Sequence, residues 1–455
     1  MRDEFPAGAD DLAALLERAS ADAERWQAHR LDPEVLGAAR RRRRRRRIIG
    51  GAVAFVIVAG IGAYVPTTLM APVDAATASV ELPEVAQPVA AVLSLPQVGA
   101  SAISISGAKE FTSTAGTNGI LAASGGPGPR PIASISKLIT ALVVLDAKPL
   151  GATENGPSIT FSKTDADLYD KYYVLQATEQ PMKAGSTLSE RDALKLMLVV
   201  SASNYAEAVT DWAFGSQAGF RRAVKSWLSV HDLTGTTVVE PTGIDSRNVS
   251  TPANLLTLGK MALATPLIAA IVASKNLDVP GFDALPNTNR LLGVDGVTGI
   301  KTGTLDAAGA CLLFSATVEV GLAKPITVLG VILGGTDHNA VNDAARALLR
   351  SIKAGFHRVP LLTQHQKLGT YTTAWGDTAA VVAADGASVL TWSDLPITDT
   401  LTTKRVTTAR RGSGVGTATF VAGRRTVTVP LVLDGALNGP DAWWRLTHPA
   451  ELLTK

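Results

Sequence analysis

The hydrophobic and polar positions divide the chain into stretches of different period. Residues 1 to 39 are acidic and Ala-rich, and "DDLAALLERASADAERW" has the spacing of one short helix. After the block Arg40 to Arg47 comes "IIGGAVAFVIVAGIGAYV", Ile48 to Val65, uncharged and just long enough to span a bilayer as a helix. Pro66 to about Pro96 is rich in Pro, Ala and Val with neither a helical nor a strand period, as expected of an extended tether. The pattern then alternates or runs apolar between turn residues in "GASAISISG" (99–107) and "NGILAASGG" (118–126), predicting paired strands.

A helical block follows. It opens with "PIASISKLITALVVL" and continues through "SERDALKLMLVVSASNYAEAVTDWAF", two helices broken by a polar elbow at 201 to 204. In "VSTPANLLTLGKMALA", Thr251 is placed as a cap and Pro252 at the first helical position. Strand patterns return in "GVTGIKTGT" (296–304), "ACLLFSATVEV" (310–320) and "KPITVLGVILG" (324–334), and a helix over 339–356 closes the unit. Strands at both ends of a helical block predict an α+β fold, with a central antiparallel sheet and a helical insertion. Beyond residue 358 only short strand patterns remain, so 358 to 455 reads as a small all-β domain that spaces the rest or binds a partner. The expected division is a tail (1–47), an apolar span (48–65), a linker (66–96), a main domain (97–357) and the β domain (358–455).

Composition narrows the function. The formal charge of +3 comes from one place, since Arg40 to Arg47 supply eight of the 43 basic residues and acidic ones, 40 in number, prevail elsewhere. A nucleic-acid-binding surface would spread its basic residues over a fold, so no nucleic acid is expected. An arginine cluster before an apolar span predicts a cytoplasmic N-terminus and an extracellular remainder, with the cluster setting topology or touching anionic headgroups. A cleaved signal peptide with Ala76-Thr77-Ala78 as its cleavage site competes, but 47 residues is too long a leader region and 18 too long an apolar core. The single cysteine, Cys311, sits in the apolar run "AGACLLFSA" and is expected in the core. The six histidines are scattered, and no metal or cofactor is expected.

Candidate chemistry lies at the head of an apolar helix, where Ser134 and Lys137 stand one turn apart on one face. Ser106 and Lys109 have the same spacing, but in a Gly-broken strand end, where residues three apart point to opposite sides. A serine hydroxyl becomes a nucleophile only when a base takes its proton, and a lysine does that only when burial or a second cation keeps it neutral. Lys301 in "GIKTGT" is either a candidate for that second cation or an ordinary solvated strand lysine, on a strand whose Gly303 lets another backbone or a substrate come close.

Ser134-x-x-Lys137 on a helix, a Ser-containing elbow and Lys301-Thr302-Gly303 on a strand, in that order, resemble the D-alanyl-D-alanine carboxypeptidase branch of the penicillin-binding proteins, serine peptidase family S11. "PTGIDSRNVSTPANLLTLGK", "NTNRLLG" and "GVTGIKTGTLDAAGACLLFSA" are similar too, over roughly residues 96 to 356. The resemblance implies the DD-peptidase/β-lactamase-like fold, a five-stranded antiparallel sheet flanked by helices with a helical subdomain. It implies peptidoglycan stem peptides ending in D-Ala-D-Ala as substrate and β-lactams as inhibitors. Ser134 would attack, Lys137 would be the base, and Ser201 would pass a proton to the leaving D-alanine. Lys301 and Thr302 would hold the terminal carboxylate, and the N–H groups of Ser134 and Thr304 would form the oxyanion hole.

The family's second motif is S-x-N, whereas this chain has Ser201-Ala202-Ser203-Asn204. Either Ser203 replaces the asparagine or Asn204 serves one position late; Asn204 followed by Glu207 has the spacing of a helix cap with its return partner, which favours Ser203. A literal S-x-N at Ser246-Arg247-Asn248 is out of order and reads as chance. Neither the E-x-x-L-N segment of a β-lactamase nor the G-x-S-x-G of an α/β-hydrolase occurs in the chain. A degenerate penicillin-binding protein that binds without turnover is the alternative reading.

Overall fold

The computed structural model describes residues 9–28, 33–108, 110–111 and 119–453. At its centre is a five-stranded antiparallel sheet in the order Ala122–Ser124, Ala100–Ser106, Ile326–Gly335, Gly309–Val318, Val297–Leu305. The period-2 alternation of these strands sorts their side chains between two cores. Leu329, Val331 and Leu333 face the helical side, where they pack with the helix Ser136–Ala147 and its neighbours. Val328 and Ile332, with Leu312 and Phe314 of the next strand, face the helix His338–Ala354 on the opposite side. The sheet is thus covered on both faces, with an α+β order as the pattern predicted.

The helix Pro252–Ala264 starts where its signals lie, with the Thr251 hydroxyl accepting from Asn254 N and Pro252 at the first position. Cys311 is free and buried; burial pushes its thiol up to about 11, which makes it a small core residue.

Behind this unit a six-stranded sheet contains Lys367–Thr372, Thr378–Ala383, Ile397–Thr403, Gly414–Ala422 and Arg425–Asp434. Its sixth strand corrects the reading of 66–96 as a free tether. Thr77–Val80 pairs antiparallel with the edge strand, Thr77 opposite Thr372 and Val80 opposite Gly369. Ala76 and Val85 are buried in the core of that sheet, and Leu93 and Leu95 pack on the main domain. These apolar positions lack a period because they add to neighbouring surfaces one at a time. A two-stranded ribbon, Phe356–Leu362 with Ala387–Trp392, lies between the two units, its Phe356 and Trp392 rings 4.8 Å apart.

The all-β expectation after 358 also needs correcting. Two short helices, Ala442–Thr447 and Pro449–Leu453, end the described chain; each is too short for a sequence period to register. At the other end a single helix, Pro33–Met70, runs through the arginine block into the apolar segment. Among the described residues Arg40–Met70 is the one unbroken helix long and apolar enough to cross a membrane.

Candidate active site

The turn that carries Ser134 is held from two sides by backbone. Arg130–Pro131 pairs with Val249–Ser250, and Ile132 N donates to Asn248 O at 3.1 Å. The chain then passes Ala133, whose φ of +45° is unusual for a residue with a side chain, into a short 3-10 turn carrying Ser134 and on into the helix Ser136–Ala147. Two glycines make this path accessible. A Cβ on Gly243 would lie 1.9 Å from Ala133 O, and one on Gly303 would lie 2.9 Å from Ile132 O and 3.1 Å from Ser134 N.

Lys137 is buried, 1% exposed, with Nζ 3.0 Å from Ser134 Oγ and donating to Thr242 O at 2.8 Å. Burial lowers its pKa to about 7, against the opposing attraction of Glu240. At that value the amine is neutral in a large share of molecules near neutral pH, and its lone pair can accept the serine proton. Lys301 is equally buried and donates to Thr302 O at 3.2 Å. Burial and the nearby Lys137 hold its pKa well below the ordinary lysine range. A neighbouring cation makes a second charge in the same dry region less favourable, and here that effect falls on Lys301, whereas Lys137 is lowered by burial alone.

The loop 240–248 fixes this arrangement. The Glu240 carboxylate accepts from Thr242 N and Oγ1, both at 2.7 Å, from Gly243 N at 2.6 Å and from Asn248 Nδ2 at 2.9 Å. Asn248 Nδ2 also donates to Ser136 Oγ at 3.1 Å. The asparagine of the out-of-order S-x-N is therefore a fully buried clamp on the helix Ser136–Ala147.

A cavity of about 570 Å³ opens over Ser134 and is lined also by Ser201, Thr302, Gly303 and Thr304. Ser201 reaches it from the elbow with φ +66°, between the helices Glu190–Leu198 and Ser203–Phe214. Thr302 Oγ1 bonds to Thr288 Oγ1 at 2.8 Å, and Thr304 Oγ1 lies 2.5 Å from His338 Nε2. Lys137 and Lys301 stand behind the cavity wall.

Ser203 and Asn204 do not join that lining. Ser203 N donates to Thr178 O at 2.7 Å, and Asn204 spends its amide on Gln180, donating to its O at 2.7 Å and accepting from its N at 3.1 Å. Asn204 is also not a helix cap: the cap position is Ala202, without a side-chain bond, and Glu207 turns instead to Lys171 and Tyr172. The cap spacing was present, but the elbow starts the helix two residues earlier, at Ser203, and points Asn204 sideways into the segment 178–181. The rejected pair leaves nothing to compare, because Lys109 lies outside the described residues, while Ser106 ends a strand opposite Thr327.

Arg290 and His338 also line the cavity, and reasoning from the motifs missed them. Desolvation, Arg290 and Lys301 lower the pKa of His338, with Asp337 opposing, so its imidazole is held neutral. Arg290 was visible only as a flank in "NTNRLLG"; His338 carried no signal, because the helix that presents it is far from the motifs in sequence.

This cleft sets a serine hydroxyl against one buried amine, with a second buried lysine on an edge strand, on an α+β scaffold. The family model for D-alanyl-D-alanine carboxypeptidase, Peptidase S11, matches residues 98–334, and the chain belongs to that family. It is 31% identical over 209 residues to the D-alanyl-D-alanine endopeptidase of Escherichia coli (strain K12), covering 44% of this chain and 63% of that one. It is 28% identical over 227 residues to the D-alanyl-D-alanine carboxypeptidase of Streptomyces sp. (strain K15), covering 46% and 73%. The chain spans about 60% of the length of the first relatives it matches. In fold it is similar to penicillin binding protein 5 from Haemophilus influenzae, with a TM-score of 0.51 and 18% identity over 76% of this chain and 99% of that one. A peptidoglycan synthesis regulatory factor from Streptococcus pneumoniae matches likewise, with a TM-score of 0.51 and 20% identity over 76% and 100%.

Proposed function

We propose that the chain is a serine D-Ala-D-Ala carboxypeptidase that trims peptidoglycan stem peptides outside the cell and is acylated by β-lactams. The observation that carries this reading is the 3.0 Å approach of a buried, half-neutral Lys137 amine to Ser134 Oγ in an open cavity. Ser134 Oγ attacks the carbonyl carbon of the D-Ala-D-Ala bond as its proton passes to Lys137 Nζ. The oxyanion is met by the N–H groups of Ser134 and Thr304, where preorganised donors lower the barrier most. Collapse breaks the C–N bond, the leaving amine takes a proton through Ser201, and water hydrolyses the acyl-serine. Thr302, with Lys301 behind it, faces the terminal carboxylate; Arg290 and His338 add positive or polarisable groups at that end of the cavity.

The apolar helix is a signal anchor in this reading, with the arginine block on the cytoplasmic side and the cleft outside. Exposure of the purified chain to a labelled β-lactam tests the reaction: label on the wild type and none on Ser134→Ala is expected, and equal labelling or none removes the proposal. A binder with little turnover is the second reading, favoured by the withdrawal of Asn204 from the cavity. Release of D-alanine from a pentapeptide at an appreciable rate eliminates it.

A further inference from the structure

The far end of the molecule carries an unusual concentration of tryptophan. Of seven in the chain, three meet there: Trp375 lies edge-on to Trp444 at 5.8 Å, Trp444 stacks on His448 at 4.8 Å, and Trp443 is 73% exposed. None of them touches the catalytic cleft. Trp443 and Trp444 belong to the short helix Ala442–Thr447, which is fastened to the exit of the apolar helix. Tyr64 Oη donates to Leu446 O at 2.6 Å, and Arg445 Nη1 donates to Ala71 O at 2.7 Å. Tyr64 sits near the end of the apolar run Ile48 to Val65.

We propose that this aromatic end is a lipid-interface surface, which seats the C-terminal sheet on the outer leaflet of the membrane that the apolar helix crosses. Tryptophan and tyrosine rings gather at headgroup depth because an apolar ring and a polar N–H or O–H suit the two sides of that boundary. The bonds from Tyr64 and Arg445 put Trp443 at that depth whenever the apolar helix spans the hydrocarbon core. The remaining edge of the cluster is polar, with Asp377, Asn438 and Asp441, and Trp375 Nε1 donates to Asn438 O at 2.9 Å. Such an edge turns toward water while Trp443 turns toward lipid.

This inference rests on the signal-anchor reading, and the test separates the two. Full-length protein is reconstituted in phosphatidylcholine–phosphatidylglycerol vesicles carrying a spin label either at the headgroup or deep in the acyl chain. Flotation with the vesicles after an alkaline wash reports the anchor, and tryptophan emission reports depth. The expected result is quenching by the headgroup label, most of it lost in Trp443→Phe/Trp444→Phe, with flotation and β-lactam labelling retained. Undiminished quenching in that variant, or flotation without headgroup quenching, overturns the interfacial surface and leaves the anchor standing. Failure to float overturns both. A shift in emission on adding soluble glycan fragments, with no lipid quenching, assigns the tryptophans to sugar and likewise overturns the proposal.

Discussion

The main domain and the C-terminal sheet bury opposite kinds of side chain. Among the described residues, every buried charged side chain lies between Lys137 and Lys301, namely those two lysines, Glu190 and Glu207. From Phe356 onward, among the described residues, the buried polar groups are uncharged, such as the hydroxyls of Tyr371, Thr373 and Thr391, and the core is Val, Leu, Ala, Ile, Phe and Tyr. Burying an ionisable group is costly, so a fold keeps it dry only where partners or a task offset the cost. Among the described residues of the second sheet the one ionisable side chain so buried is Tyr371, whose uncharged phenol donates to Lys404 O at 2.6 Å. The first gives up stability around its cleft in return for a neutral amine.

Replacing Lys137 gives the largest break in that contrast. Lys137→Met removes the base while filling most of its volume, and acylation by a β-lactam should fall about 10²- to 10⁴-fold with no loss of thermal stability. The wild-type acylation rate should rise with pH through about 7, as the amine loses its proton. The same shift bears on folding. Because the folded state holds this proton less tightly than an ordinary lysine of pKa 10.5, stability should climb with pH between those two values. Denaturant melts across that range should show the slope in the wild type and a weaker one in Lys137→Met.

Gly303→Ala is next. Its Cβ meets Ile132 O and Ser134 N, so the nucleophile turn or the strand must move by tenths of an ångström. A loss of about 10²-fold in kcat/KM is expected, with KM for the peptide little changed. On the other side of the comparison, Leu431→Ala opens a cavity in the C-terminal core, where Leu431 is fully buried. It should cost about 2–5 kcal/mol in that unit, seen in denaturant melts, and leave acylation kinetics as they were.

His338→Ala removes the partner of Thr304 and should raise KM for a D-Ala-D-Ala peptide about tenfold, with kcat less affected. The smallest effect is expected at Glu190, a buried carboxyl outside the cleft whose pKa burial raises to about 7, with Lys148 opposing. A raised carboxyl pKa loses stability as pH rises above the ordinary 4.5, so Glu190→Gln should raise Tm by a few degrees at pH 8 and leave it nearly unchanged at pH 5. Failure of that pH difference would mean that Glu190 finds a partner when ionised.

Much of the main domain was legible because its elements carry local signals. Thr251 and Pro252 announce a helix start, and the strands around Lys301, Leu313 and Leu329 have a clear period. The Ser134, Lys137 and Lys301 relation was legible through ordered motifs, although spacing alone said nothing of the distance between strand and helix. Glu240, Arg290 and His338 were not, because each acts through a contact across the fold that leaves no period or motif behind. Asn204 misled for a related reason: its spacing to Glu207 fits a cap, yet tertiary partners at Gln180 and Tyr172 claimed both side chains. The linker misled as well, since a four-residue strand that completes another sheet's edge has no alternation long enough to notice.

That edge strand has a consequence for proteolytic processing. Ala76 N already donates to Val406 O at 2.7 Å, and the next four residues are laddered onto 369–372. A peptidase that draws its substrate into its own groove as an extended segment would find this backbone occupied. Any trimming at Ala76–Ala78 would have to precede closure of the second sheet, and the folded molecule, anchor in place, should resist it.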